Sequence, residues 1–296
     1  MIRREADRHL PVEELNVVEI ARIPGTSGIL ANSTIAGSHT TARLTTRTPA
    51  ASTEIRSLFL SDLHLGFRHS RVRSLLDFLV RCEPENLYLV GDFIDGWCFR
   101  NRWHWQPECN LVVARLMDLA QRGTRIRLAI GNHDNFLRDP MMQRFIQRSG
   151  IAEVAEEFHH NTADGRKFMV LHGDQFDDYE RASSFTVGFL NCFYEGMLRA
   201  NSLWSCLTST ALHGQGSLVA RIKRRLHSVG RHARHYRDRV VRHTRHRGFD
   251  GVICGHIHDP QHIDIDGITY CNAGDWVENC SALVEDSHGK LRLVWL

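Results

Sequence analysis

The sequence predicts a layered α/β domain whose first strands run parallel. Two observations carry that expectation. Short apolar runs, beginning with Leu58-Phe59-Leu60, alternate with segments of helical spacing, as strands joined by crossover helices do. Each run then stops at ionisable residues, as happens where the carboxyl ends of strands border a ligand crevice.

Residues 1–55 stand apart. The stretch from Arg43 to Thr53 is rich in Thr and small residues with no apolar period, so a largely disordered extension is expected, with a short strand or helix near Leu15 to Ile23. Glu5, Asp7, Glu13 and Glu14 argue against a mitochondrial transit peptide; an over-extended start is an alternative. The domain proper is expected over 56–296. Leu58–Leu60 reads as a strand, Ser74–Leu79 as a helix, Asn86–Val90 as a strand, Leu111–Leu119 as a helix and Arg125–Ile130 as a third strand. A short helix follows Pro140, and Asn161–Leu171 reads as a hairpin turning at Asp164-Gly165. Residues 178–247 interrupt the strands with mostly helical sequence, expected to be a cap insertion. The sheet resumes at Gly251–Cys254. Two strands flank Asp266-Gly267, and Ser281–Val284 and Leu291–Trp295 close the domain.

A chain of 296 residues can bury a substantial core. The net charge of +3 is small, and the eight cysteines form no C-x-x-C pair. Several lie in apolar runs, which suits reduced cysteines of a cytosolic protein. No apolar run approaches the roughly 18 residues of a bilayer span, and the start lacks a secretory apolar core. A soluble, cytoplasmic protein is expected.

Five strand ends carry the chemistry: Ser61-Asp62-Leu63-His64, Gly91-Asp92 with Asp95, Gly131-Asn132-His133-Asp134, His172-Gly173-Asp174, and Gly255-His256-Ile257-His258. Asp62 and His64, two apart on extended backbone, would point the same way, and glycine before a ligand lets the chain turn sharply. Any one such ending is consistent with a plain polar turn. Five together, all with oxygen or nitrogen ligands, suit divalent transition metals.

The order D-x-H, G-D-x-x-D, G-N-H-D, H-G-D, G-H-x-H resembles the calcineurin-like metallophosphoesterase superfamily across residues 56–296. The resemblance implies a four-layer αββα sandwich with a helical cap and two divalent ions, Mn by preference, Fe or Zn as alternatives. It implies that Asp62, His64 and His258 hold one ion, Asn132, His172 and His256 the other, and that Asp92 bridges them. Two such cations about 3.5–4 Å apart clamp a phosphoryl group and acidify a water between them. By the same resemblance His133 would serve the leaving-group oxygen, with Asp134 keeping it charged; Asp95 would orient a histidine ligand. Asn132 and His133 would also contact substrate.

A closer resemblance is to bacterial UDP-2,3-diacylglucosamine pyrophosphatases, carried by Ser61-Asp62-Leu63-His64-Leu65, Gly91-Asp92 with Trp97, the insertion after Asp174, and Gly274-Asp275-Trp276. One departure is that His133 stands where that group typically has Arg.

Between Arg221 and Arg247 lie eleven Arg or Lys, five His and one acid, Asp238. Such a run is either a solvated face or an anion-binding surface. Preceded by the aromatic-rich segment from Phe185 to Leu212, it suits an anionic, lipid-linked phosphate held by Lys223, Arg224 and Arg225, with a peripheral contact to an anionic membrane. The expected reaction is hydrolysis of UDP-2,3-diacylglucosamine to UMP and 2,3-diacylglucosamine 1-phosphate. Alternatives are a phosphomonoesterase or phosphodiesterase, including a nuclease binding nucleic acid, and a non-catalytic scaffold, which would have lost ligands.

Overall fold

A computed structural model describes residues 55–100, 103–177 and 227–296. The expectations for residues 1–54 and for most of the cap, including Lys223, Arg224 and Arg225, lie outside the described residues.

Strand β1 (Ile55–Leu60) is followed by α1 (Val72–Leu79), β2 (Asn86–Val90), α2 (Pro107–Gln121), β3 (Arg125–Ala129), α3 (Pro140–Ser149) and β4 (Glu153–Ala155). β1 to β4 pair in parallel. The parallel pairs need crossovers, and α1, α2 and α3 supply them. β10 (Ser281–Asp286) joins β1 antiparallel, and β11 (Leu291–Trp295) joins β10, giving a six-stranded sheet in the order β11-β10-β1-β2-β3-β4. The second sheet has five strands: β5 (Glu157–Asn161), β6 (Lys167–Leu171), β7 (Gly251–Cys254), β9 (Ile268–Asn272) and β8 (Gln261–Ile265), in that spatial order. The hairpin expected at Asp164-Gly165 joins β5 to β6.

Three apolar clusters define four layers. β1 shows how one strand serves two of them, because its side chains alternate faces. Leu58 and Leu60 pack with Leu75, Leu79, Val112 and Leu116 of α1 and α2. Phe59 points the other way, joining Tyr88, Val90, Phe168, Val170, Ile253 and Leu283 between the sheets. On the far face of the second sheet, Met169, Leu171, Val252, Cys254 and Tyr270 meet Tyr236, Val240 and Val241 of helix α4 (His227–His246). This is the αββα sandwich that the sequence implies.

Two expectations need correction. α2 begins at Pro107, four residues before Leu111, because proline at the first helical position leaves no amide unsatisfied. α4 falls within the expected cap, yet it forms the sandwich's outer layer. Three of its arginines are committed there: Arg237 Nη1 donates to Gln261, Arg239 Nη1 to the Phe176 carbonyl, and Arg245 Nη2 to the carbonyls of Ile265 and Asp266.

Candidate metal centre

The ligand-bearing residues follow β1, β2, β3, β6 and β7, at the carboxyl ends of both sheets. Their backbone is not extended. Asp62, His64, Asp92, His256 and His258 all have left-handed φ, between 46° and 70°. This corrects the alternation argument for Asp62 and His64: β1 ends at Leu60, and each residue is aimed individually. Five of the seven non-glycine residues with positive φ among the described residues are therefore expected ligands. Such conformations cost of order 1–3 kcal/mol each and persist only when over-determined. Here Asp62 N donates to the Gly91 carbonyl (3.1 Å), His64 N to that of Asp92 (2.8 Å), and Trp276 N to that of Asp62 (3.1 Å).

The glycines act by close approach as much as by turning. A Cβ on Gly131 would lie 2.2 Å from Asp92 Oδ1, and one on Gly255 would lie 1.8 Å from Ser61 Oγ. Neither has a positive φ.

Asp62 divides its oxygens between two tasks. Oδ2 accepts from Ser61 Oγ (2.5 Å) and from the His256 amide (3.0 Å). Oδ1 is buried, 3.1 Å from His258 Nε2 and 3.8 Å from His64 Nε2 in ion-pair contacts. Asp92 follows the same scheme. Its Oδ1 accepts from the His133 amide (2.9 Å), while Oδ2 stands 3.4 Å from His172 Nε2 and 3.7 Å from His64 Nε2. One oxygen of Asp92 thus faces both expected ligand groups. His172 Nδ1 donates to the Val90 carbonyl (2.9 Å), which turns Nε2 toward Asp92 and toward Asn132 Oδ1 at 3.0 Å. The rings of His172 and His256 are 5.2 Å apart.

These residues fit a pair of cations. Asp62, His64 and His258 form one group with ligand atoms within 4.8 Å of one another; Asp62, Asp92 and His172 form a second. His64 Nε2, like Asp62 Oδ1, is buried without a hydrogen bond, while His64 Nδ1 faces Asp95 Oδ2 at 3.4 Å. Leaving such atoms without a partner is costly, and a cation would satisfy Asp62 Oδ1 and His64 Nε2. The mixed carboxylate, amide and imidazole donors suit a first-row transition metal.

The electrostatics agree. Burial pushes the Asp62 carboxyl up, but His258 and His172 outweigh it and hold the group at about 2. Burial pulls His64 down, and Asp95, Asp92 and Asp62 more than reverse this, raising it to about 9. His172 is likewise raised against burial by Asp92 and Asp62. The carboxylates therefore create a field that favours positive charge at this centre.

His133 points into the same space, its Nε2 3.9 Å from Asp92 Oδ2. Its Nδ1 lies 3.0 Å from Asp95 Oδ1, and its ring stacks on Trp97 with centroids 3.9 Å apart. The expected partnership of His133 with Asp134 is corrected here. Asp134 is fully buried and accepts from the amides of Phe93 (2.9 Å) and Ile94 (2.8 Å). Burial, joined by the charge of Asp92, raises its carboxyl to about 6. Asp134 thus braces the loop after Asp92, whereas Asp95 serves His133 and also lies 3.4 Å from His64 Nδ1.

Asp177 is a residue that sequence reasoning missed. Its Oδ2 lies 3.0 Å from His256 Nε2 and 3.2 Å from His232 Nε2. It lies three residues past the His172-Gly173-Asp174 segment, and no motif marks it. Asp174 itself turns away, its Oδ2 3.4 Å from Arg138 Nη2. Asp275 lies 3.9 Å from His258 Nδ1 and accepts from the amides of Val277 and Glu278. Asn272 is structural, donating to the Gly255 carbonyl and accepting from the Gly274 amide.

A family model described as calcineurin-like phosphoesterase matches residues 55–260. A UDP-2,3-diacylglucosamine hydrolase of Cellvibrio japonicus (strain Ueda107) is 30% identical over 217 residues, 70% of this chain and 83% of that protein. The protein of the same name from Hahella chejuensis (strain KCTC 2396) is 33% identical over 122 residues, 40% of this chain and 47% of its own length. Among solved structures, Yfce, a phosphoesterase from E. coli, aligns over 80% of this chain and 97% of its own at 14% identity and a TM-score of 0.40.

Proposed function

This chain belongs to the calcineurin-like phosphoesterase family, and from that premise we propose that it hydrolyses UDP-2,3-diacylglucosamine to UMP and 2,3-diacylglucosamine 1-phosphate with two manganese ions. Metal-dependent hydrolysis of a phosphoester or phosphoanhydride is the family's activity; the substrate and the ion are our reading. The observation that carries the substrate is the likeness to the Cellvibrio japonicus hydrolase over 83% of its length.

In this reading Asp62, His64 and His258 would hold one ion, Asn132, His172 and His256 the other, and Asp92 would serve both. Bound there, two cations would polarise the phosphoryl oxygens and acidify the attacking water. The protein's own groups do the rest. Ser61 and the His256 amide fix Asp62, and the His133 amide fixes Asp92, so each carboxylate meets its load without reorganising. Asp95 holds Nδ1 of His133, leaving Nε2 to donate to an oxygen of the scissile phosphate or its leaving group.

His133 also favours a second reading. A phosphate leaving group departs with little need of a proton, whereas an alkoxide needs one. An imidazole oriented by a carboxylate therefore suits an ester with an alcohol leaving group as well as a pyrophosphate. Incubating the purified protein with Mn²⁺ and either UDP-2,3-diacylglucosamine or a 3′,5′-dinucleoside phosphate, a soluble diester with an alkoxide leaving group, separates the two. Release of UMP with kcat/KM above that for the soluble diester supports the first reading. Turnover of the diester alone overturns it and leaves the second.

A further inference from the structure

Nine large apolar residues are exposed among the described residues, and three of them, Met141, Met142 and Phe145, sit on the ten-residue helix α3. Met141 is 78% and Phe145 is 69% exposed, the two largest values of the nine. At about 100° per residue these three side chains span a single arc of about 100°. Arg144 and Arg148 are also exposed and border that arc on one side, while Ile146 on the other side packs partly into the core. The nearby acids are committed elsewhere, Glu156 to Arg138 and Glu153 to Arg127. No carboxylate among the described residues pairs with Arg144 or Arg148.

The helix is firmly built, so the exposure does not reflect fraying. Asp139 caps it, accepting from the amides of Met141 (2.7 Å) and Met142 (3.3 Å), and Gly150 ends it in a left-handed conformation. Isolated surface apolar groups are ordinary. A contiguous apolar arc flanked by unpaired arginines is the composition of a helix lying in a lipid interface.

We propose that α3 is a docking surface for an anionic lipid bilayer, inserting Met141, Met142 and Phe145 among the acyl chains while Arg144 and Arg148 meet the headgroups. The contact is shallow: no described helix is long and apolar enough to cross a membrane. α3 follows the Asn132-His133-Asp134 loop through a single 3₁₀ turn, Asn135–Arg138. Met141 thus follows His133 by eight residues in the chain. The inference goes beyond the substrate reading and does not depend on it, because binding is scored without turnover.

The test is co-sedimentation of the full chain with vesicles of phosphatidylglycerol and phosphatidylcholine, against phosphatidylcholine alone. The wild type should prefer the anionic vesicles, and less so as salt rises. Met141→Glu with Phe145→Glu, and separately Arg144→Glu with Arg148→Glu, should each reduce partitioning on the order of tenfold, with the thermal midpoint unchanged. If the glutamates disturb folding, Met141→Ser with Phe145→Ser keeps the apolar half testable. Wild-type partitioning in these variants overturns the proposal. So does a wild type that ignores anionic vesicles but dimerises through α3, with the variants monomeric in sedimentation velocity.

Discussion

Asp95 Oδ1 lies 3.0 Å from His133 Nδ1, and Asp95 Oδ2 lies 3.4 Å from His64 Nδ1. One carboxylate thus orients two imidazoles whose other nitrogens face the metal centre. Asp95→Asn should weaken both orientations. A fall in kcat of about 10–10²-fold is expected, with reduced metal affinity through His64. His133→Ala should retain bound metal and slow turnover by roughly 10²–10⁴-fold. Steady-state kinetics with metal analysis on both variants checks this, and loss of both ions from His133→Ala would show that His133 is itself a ligand.

Asp134 should behave differently. Asp134→Ala leaves the amides of Phe93 and Ile94 without their acceptor in a buried loop. A loss of roughly 2–3 kcal/mol in denaturant unfolding is expected, with activity falling through the displaced Asp92 loop. Unchanged stability would sink this role.

The glycine beside Asp92 gives a steric test. Gly131→Ala places a methyl group against a carboxylate already held by the His133 amide, so either the Asp92 side chain or the backbone must shift. We expect destabilisation of about 1–3 kcal/mol and weakened metal binding. Gly123→Ala, where an added Cβ meets nothing within 4 Å but the φ is +98°, separates the two costs: it carries backbone strain without disturbing metal affinity.

A pH dependence is written into the base of the sandwich. Glu285 is fully buried, with Oε2 2.8 Å from His160 Nε2 and Oε1 2.7 Å from Arg56 Nη1; the Ala163 amide also donates to Oε1. Burial pushes its carboxyl up, but the hydrogen bonds from His160, Ser57 and Ala163 outweigh this and hold it below its ordinary value. A pKa lower in the folded than in the unfolded state gives stability that is present above the unfolded value, about 4.3. That stability is lost as pH falls through the folded value. Wild-type stability should therefore decline below about pH 5. Glu285→Gln should be less stable at neutral pH and flatter in acid, in urea titrations from pH 3 to 7. A parallel decline in the variant would assign the acid sensitivity elsewhere.

Much of this was legible in the sequence because parallel strands buried on both faces are written as apolar runs. Leu58–Leu60, Asn86–Val90 and Gly251–Cys254 are such runs, and the ionisable residue after each marks the sheet edge. What the sequence concealed depends on contacts between distant segments. The left-handed backbone at Asp62 and His64 is set by carbonyls of Gly91 and Asp92, which no local pattern reveals. Asp134 is the sequence neighbour of His133 while Asp95 lies 38 residues before it, and only the fold shows that it is Asp95 that reaches the ring. In α4 the charge masked the sparse apolar stripe of Tyr236, Val240 and Val241, so an outer layer read as a cap. Asp177 carried no motif at all.

We propose that Asp62 and Asp92 organise two adjoining cation sites in one centre. This organisation is tested most directly by titrating metal-stripped protein with Mn²⁺ and counting bound ions per chain, for the wild type and for Asp92→Ala. The wild type should bind two ions and gain phosphodiester hydrolysis as they load. Asp92→Ala should lose at least one ion and all measurable turnover. An Asp92→Ala variant that still binds two ions and retains hydrolysis would contradict the account.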